Sequence, residues 1–200
     1  MVKPSQIKKT ASFLYEVGSM RKIARAHRQS LLTDDMSDNI ASHSFRVAWI
    51  GYLLAKMEKV DADKVLLMCL SHDITEVRSN DQNWVHKKYV KVYEQEIIND
   101  QMDKLPAENE LRETINEYGE RLTKESKIAK DADLLDQILL INEYAMTGNQ
   151  EAARWKKSGG RKGNSHYRLL YSKSAKILAK EIEKQNPSEW WQNVWTEKRR

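Results

Sequence analysis

The chain has 200 residues, a net charge of +5, 40% hydrophobic side chains, three prolines, seven glycines and one cysteine. A chain of that length buries roughly 70% of its unfolded surface, so it builds a core without staples. Its few chain breakers exclude a turn-rich all-β domain and a disordered chain. Cys69 has no internal disulfide partner, and no apolar run reaches membrane-spanning length or follows a basic start as a secretory leader would. The expectation is a cytoplasmic, all-α globule.

Helical periodicity predicts a first helix from about Gln6 to His27, carrying Leu14, Val17 and Ala24, followed by the polar loop SLLTDDMSDN. Asp38 and Asn39 are suitable caps for a second helix, in which His43, Val47, Ile50 and Leu54 share one buried stripe. A third helix starts near Asp61 and is almost wholly apolar. It carries Val65, Cys69 and His72 on one face and Leu66, Leu70 and Asp73 on the adjoining one, with His72 and Asp73 at its end.

Trp84 to Leu105 reads as one long, charged outer helix closed by Pro106. Leu111, Ile115, Tyr118 and Leu122 mark the next helix, which Gly119 is expected to divide. A strong helix follows from about Lys124 to Thr147, capped by Gly148 and bearing Asp131, Asp133 and Asp136 among apolar residues. KKSGGRKGNS reads as a flexible basic loop, His166 to Lys184 as a helix, and SEWWQNVW as a short aromatic tail. Residues 1–150 hold 21 basic and 24 acidic side chains and residues 151–200 hold 13 and 5, so the positive charge lies at the end of the chain. That end is read as a solvated surface and not as a nucleic-acid site, and Trp190, Trp191 and Trp195 as docking the tail or a subunit contact.

Imidazoles and carboxylates on apolar helical faces are costly to bury unpaired, and metal binding removes that cost. Two histidines with two carboxylates form a mixed nitrogen and oxygen set suited to a divalent transition metal such as manganese, cobalt, zinc, iron or nickel. Adjacent His72 and Asp73 lie about 100° apart on a helix, so both reach one ion only where the helix ends. Asp131 and Asp133, about 200° apart, point to different faces, so at most one of them ligates.

His43, the His72-Asp73 pair and the later KDAD segment together resemble the HD-domain phosphohydrolases. Within these, the blocks DNIASHSFRVA, HDITEVRSND, KDADLL and EYAMTGN are most similar to the 5'-deoxynucleotidase branch, over roughly residues 10 to 155. The resemblance implies a single HD-domain helical bundle over residues 1–185, with residues 186–200 as an appended tail. It also implies one metal held by His43, His72, Asp73 and Asp133, with Asp131 the rival for the fourth position. Glu76 matches the catalytic glutamate that takes a proton from water, and Asp81 a second acidic position near the sugar or the water. Arg28, fifteen residues before His43, stands where the family places a phosphate-holding arginine. Gln29 follows it where the deoxynucleotidase has a tryptophan, which leaves the sugar and base preference open. His27, His86 and His166 read as structural or exposed.

The function so implied is metal-dependent release of phosphate from (deoxy)nucleoside 5'-monophosphates by a homodimeric enzyme. The alternatives are a (deoxy)nucleoside triphosphate hydrolase on the same centre, using Lys156, Lys157, Arg161 and Lys162, and a non-catalytic module with a relic metal site that binds nucleic acid or a protein partner.

Overall fold

A computed structural model describes residues 3–158 and 165–194. They are helical throughout, and the strand-like pairing among them is a single antiparallel bridge between Ala24 and Asn39. In chain order the helices are α1 (Pro4–Ser19), α2 (Arg28–Leu31), α3 (Ile40–Glu58), α4 (Ala62–Ser71), α5 (Glu76–Ser79), α6 (Trp84–Tyr89) and α7 (Glu94–Met102). They continue as α8 (Glu108–Glu120), α9 (Lys124–Met146), α10 (Gln150–Ser158), α11 (Ser165–Leu169), α12 (Lys173–Lys184) and α13 (Glu189–Gln192). No helix among the described residues is long and apolar enough to cross a membrane.

Three helices form the frame of the site, and each starts on a cap that satisfies otherwise orphaned backbone donors. Asn39 accepts from the Ser42 N–H at the start of α3, Asp61 from the Asp63 and Lys64 N–H groups at α4, and Thr123 from the Ser126 N–H at α9. α3 packs against both α4 and α9, burying Val47, Leu54, Val65, Met68, Cys69 and Leu135 completely. Burial of each such large side chain contributes about 1.5–3 kcal/mol. Gly51 lies where α3 meets α4, and a Cβ there would overlap the Cys69 sulfur, so its missing side chain sets the approach of the two helices. A second apolar cluster joins Met20, Ile40, Ile74, Ile98, Met102 and Ile115 and so fixes α1, α7 and α8 beside this frame.

The structure departs from the periodicity at several elements. α1 stops at Ser19 and passes through a 3-10 turn, Met20–Lys22, instead of continuing to His27. Residues 23–25 instead run extended beside the start of α3, with the Arg25 N–H donating to Asp38 O (3.1 Å) and the Ile40 N–H to Ile23 O (3.0 Å). The segment from Trp84 is two helices. Val90 is extended between them, in keeping with the stiffness of its β-branched side chain, and α7 turns its own face inward to bury Ile98, Gln101 and Met102. α8 runs unbroken through Gly119, whose missing side chain faces open space. Lys156 and Lys157 belong to the last turn of α10 and not to a loop, while Arg161 and Lys162 lie outside the described residues.

The helix expected from His166 is divided into α11 and α12 by Asp131. Its carboxylate accepts from the Tyr171 and Ser172 N–H groups at 2.7 and 2.8 Å, donors that a continuous helix would spend on its own carbonyls. Gly148 caps α9 at φ +92°, as its position suggests. Trp190 and Trp191 do not dock on the bundle, being 78% and 53% exposed, and Trp195 lies outside the described residues.

Candidate metal centre and its cavity

His43 projects from the first turn of α3 and His72 ends α4, and both are buried. The Nδ1 atom of His72 is 2.8 Å from the Cys69 carbonyl oxygen, which only accepts, so Nδ1 carries the proton and Nε2 presents a lone pair. On His43, Nδ1 is 2.7 Å from Asp136 Oδ2, and the neutral ring likewise keeps its proton there. The two Nε2 atoms then face each other at 3.2 Å, and Asp73 Oδ2 stands 3.4 Å from the first and 3.2 Å from the second.

Three electron-pair donors turned on one point repel one another unless a cation lies between them. Their spacing matches the separation of neighbouring ligands around an ion bound at about 2.0–2.2 Å, and imidazole with carboxylate is a transition-metal donor set. His43, His72 and Asp73 therefore fit a divalent metal, and Asp133 adjoins them with Oδ1 3.4 Å from His43 Nε2.

Burial and the Arg25 charge oppose a proton on His43, but the Asp133, Asp136 and Asp73 carboxylates outweigh them and hold its pKa well above the ordinary histidine value. Without an ion a second proton therefore occupies Nε2, and a metal binds the neutral ring by displacing it. Burial likewise opposes ionisation of Asp73, and His72, His43 and Arg25 overcome it, so this carboxyl stays well below the usual range. Asp133 is held low in spite of its burial by Lys130 and the two histidines. For Glu76, burial and then the Asp73 and Asp81 charges push the carboxyl up to about 9. The cluster is thus rich in negative charge and its members compete for positive partners.

A cavity of about 1100 Å³ opens on this centre, and its walls include Arg25, Glu76, Asp81, Tyr118, Arg121 and Gln137. The helix end provides what His72 and Asp73 need, since the chain leaves α4 at His72 and enters α5 only at Glu76. Asp81 accepts from the Ala26 N–H at 2.7 Å and lies 3.4 Å from Arg25 Nε, so it fastens the segment that carries Arg25.

Arg28 is not in the cavity wall. Its guanidinium turns toward the Met36 sulfur and lies 3.8 Å from Asp34, whereas Arg25 reaches the centre and donates to Asp73 at 2.9 Å. Gln29 accepts from Asn83 Nδ2 at 3.0 Å, and so joins α2 to the start of α6. Asp131 faces the α11–α12 corner and Asp133 the cavity. His27 is paired with Asp38 at 2.6 Å, and His166, expected only as a structural or exposed residue, is another wall residue whose pKa burial lowers.

Two residues of the centre, Arg25 and Asp136, gave no motif signal. Asp136 was open to a simple inference, because three residues after Asp133 on a helix it shares that face. Nothing in the pattern ranked Arg25 above Arg28. Four of the buried side-chain atoms that lack a hydrogen-bond partner, Arg25 Nε, Glu76 Oε2, Arg121 Nη1 and Gln137 Nε2, belong to wall residues of this one cavity.

The family model described as HD domain matches residues 18–182, so the chain belongs to the HD domain family. It is 25% identical over 150 residues to a 5'-deoxynucleotidase of Photorhabdus laumondii, covering 66% of this chain and 74% of the relative. To the 5'-deoxynucleotidase of Vibrio cholerae it is 29% identical over 147 residues, covering 65% and 74%. A solved structure described as a predicted metal-dependent phosphohydrolase, from Magnetospirillum magnetotacticum, superposes with a TM-score of 0.67 at 27% identity, covering 90% of this chain and 94% of that one. A conserved hypothetical protein of Pyrococcus furiosus shares the fold with a TM-score of 0.68 at 23% identity, covering 88% and 99%. Family membership and the donor cluster together define a metal-dependent phosphohydrolase that uses a divalent ion.

Proposed function

We propose that the protein releases phosphate from (deoxy)nucleoside 5'-monophosphates, with His43, His72, Asp73 and Asp133 holding one transition-metal ion. The observation that carries this reading is that His72, Asp73 and Asp133, Glu76 and a pair of indoles line one cavity. Trp84 and Trp155 lie with ring centroids 5.4 Å apart on its wall, an aromatic surface suited to a nucleobase. The named activity of the relatives from Photorhabdus and Vibrio agrees with it.

A bound divalent ion supplies Lewis acidity, polarising a phosphoryl oxygen and acidifying water. Beside such an ion the Glu76 carboxyl falls from its raised pKa into the ionised form. Glu76 then accepts a proton from the water that attacks phosphorus, while the phosphorus–O5' bond breaks and the departing nucleoside oxygen takes up a proton; the unpartnered Oε2 of Glu76 is free for that contact. Arg25, in the place expected of Arg28, offsets the charges of Asp73 and Asp81 and orients the former. Asp136, gripped by Arg46, fixes the His43 ring with Nε2 toward the ion. Asp81 holds the Arg25 segment against the cavity.

In this reading residues 1–185 are the catalytic unit and residues 186–200 an appendage. The enzyme acts as a cytoplasmic homodimer: Cys69 is buried and free, and Phe45, Trp49, Leu53 and Met57 form an uncharged, exposed ridge at four-residue spacing along α3 that a second copy would cover.

The test is phosphate release from a panel of nucleoside mono- and triphosphates with manganese or cobalt. Faster release from monophosphates is expected. Faster turnover of triphosphates would move the assignment to a triphosphate hydrolase, and no release with any metal would leave a binding module.

A further inference from the structure

We infer that Arg121 is the cation that receives the phosphate group of the substrate, an assignment that rests on the phosphomonoesterase reading. A dianionic phosphate entering this cavity meets Asp73, Glu76, Asp81 and Asp133, and it needs positive charge that these carboxylates have not already claimed. Arg25 is paired with Asp73 and Asp81, and Lys130 donates to Asp133. Lys156 of the same wall bonds Asn142, and Lys87 is exposed. Arg121 has no carboxylate within 4 Å among the described residues, and its Nη1 is buried without a hydrogen-bond partner. A buried, unpaired guanidinium nitrogen is costly and marks a place where a ligand completes the bonding.

The side chain is also fixed in advance. Its guanidinium carbon lies over the Tyr118 ring, 3.7 Å from the centroid. Tyr118 in turn packs its ring on His72 (5.2 Å between centroids) and brings its hydroxyl to within 3.4 Å of Asp133. Arg121 is thus separated from the donor cluster by a single aromatic ring, and it comes from the end of α8, a different wall from that of Arg25. A planar fork of donors held on a ring suits phosphate oxygens, and a mobile lysine does so less well.

Arg121 sits at φ +58°, a left-handed conformation that glycine adopts at no steric cost, so a folded control exists. Arg121→Gly should melt no lower than the wild type, while Arg121→Ala tests the same loss with the Cβ retained. Inorganic phosphate titrated by calorimetry into each protein as isolated should bind about tenfold to a hundredfold more weakly in both variants, the scale of a charge-assisted contact. Metal content should be unchanged, and KM for a nucleoside monophosphate should rise more than kcat falls. Guanidinium ion added to Arg121→Ala should restore part of the turnover. Unchanged phosphate affinity in the variants, or no phosphate binding by the wild type, overturns the assignment. Wild-type protein that binds phosphate through Arg121 but hydrolyses no phosphomonoester overturns the functional reading alone.

Discussion

Asp136 accepts a hydrogen bond from His43 Nδ1 at 2.7 Å while Arg46 holds its other oxygen, so an aspartate outside the donor cluster decides which nitrogen of His43 faces the metal position. Losing such an orienting carboxylate typically weakens a metal site about 10- to 100-fold. Asp136→Asn should therefore lose manganese affinity on that scale with His43, His72 and Asp73 intact. A metal titration giving the wild-type dissociation constant would mean that packing alone orients His43.

Asp131 and Asp133 should fail in different ways. Asp133→Ala is expected to lower metal occupancy with a modest effect on melting. Asp131→Ala leaves the buried Ser172 N–H and that of Tyr171 without their acceptor, costing about 1–3 kcal/mol, while metal content stays close to one per chain. Elemental analysis beside thermal unfolding separates the two, and the opposite pairing of effects would exchange their roles.

Glu76→Gln keeps the shape of the side chain and removes the proton acceptor. Turnover should fall roughly a hundredfold or more, the scale of a positioned general base, with metal content and melting temperature preserved. A variant as active as the wild type would transfer the proton-accepting role to another group, with Asp81 the nearest alternative.

Trp84 and Trp155 should matter only to substrates that carry a base. Stacking on an aromatic side chain contributes about 1–3 kcal/mol per base, so Trp84→Ala should raise KM for a nucleoside monophosphate about fivefold or more. KM for deoxyribose 5-phosphate should not change, because that substrate has no ring to stack. Equal losses on both substrates, in parallel steady-state assays, would assign the indoles to packing.

What the chain discloses by itself follows from where its interactions are local. α3, α4 and α9 could be read from the sequence because Asn39, Asp61 and Thr123 cap them within three residues and each buries a stripe of its own side chains. The donor cluster was legible for the same reason, since a histidine on an apolar helix needs a partner wherever the helix packs. The break between α11 and α12 was hidden because its cause, Asp131, lies forty residues earlier in the chain. Arg28 was read as the phosphate-holding arginine from its family spacing, fifteen residues before His43. Here the intervening chain pairs Arg25 with Asp38 across a loop, so sequence distance does not measure position. α10 was missed because its short, mostly polar run offers little apolar stripe, although it buries Ala152 beside Leu31 and Ile141.

Gly51 stands eight residues beyond His43 on α3, about 12 Å along the axis, and has no chemistry to offer the reaction. Yet α3 can lie against Cys69 only because no methyl group stands there, and that approach helps hold His43 Nε2 3.2 Å from His72 Nε2. The two helices behave as the jaws of a clamp whose gap is set at Gly51, far from the grip. Adding one carbon at residue 51 would open the jaws and leave every ligand present but out of reach of a shared ion, so the tolerance of the centre to change is narrower than its ligand set suggests.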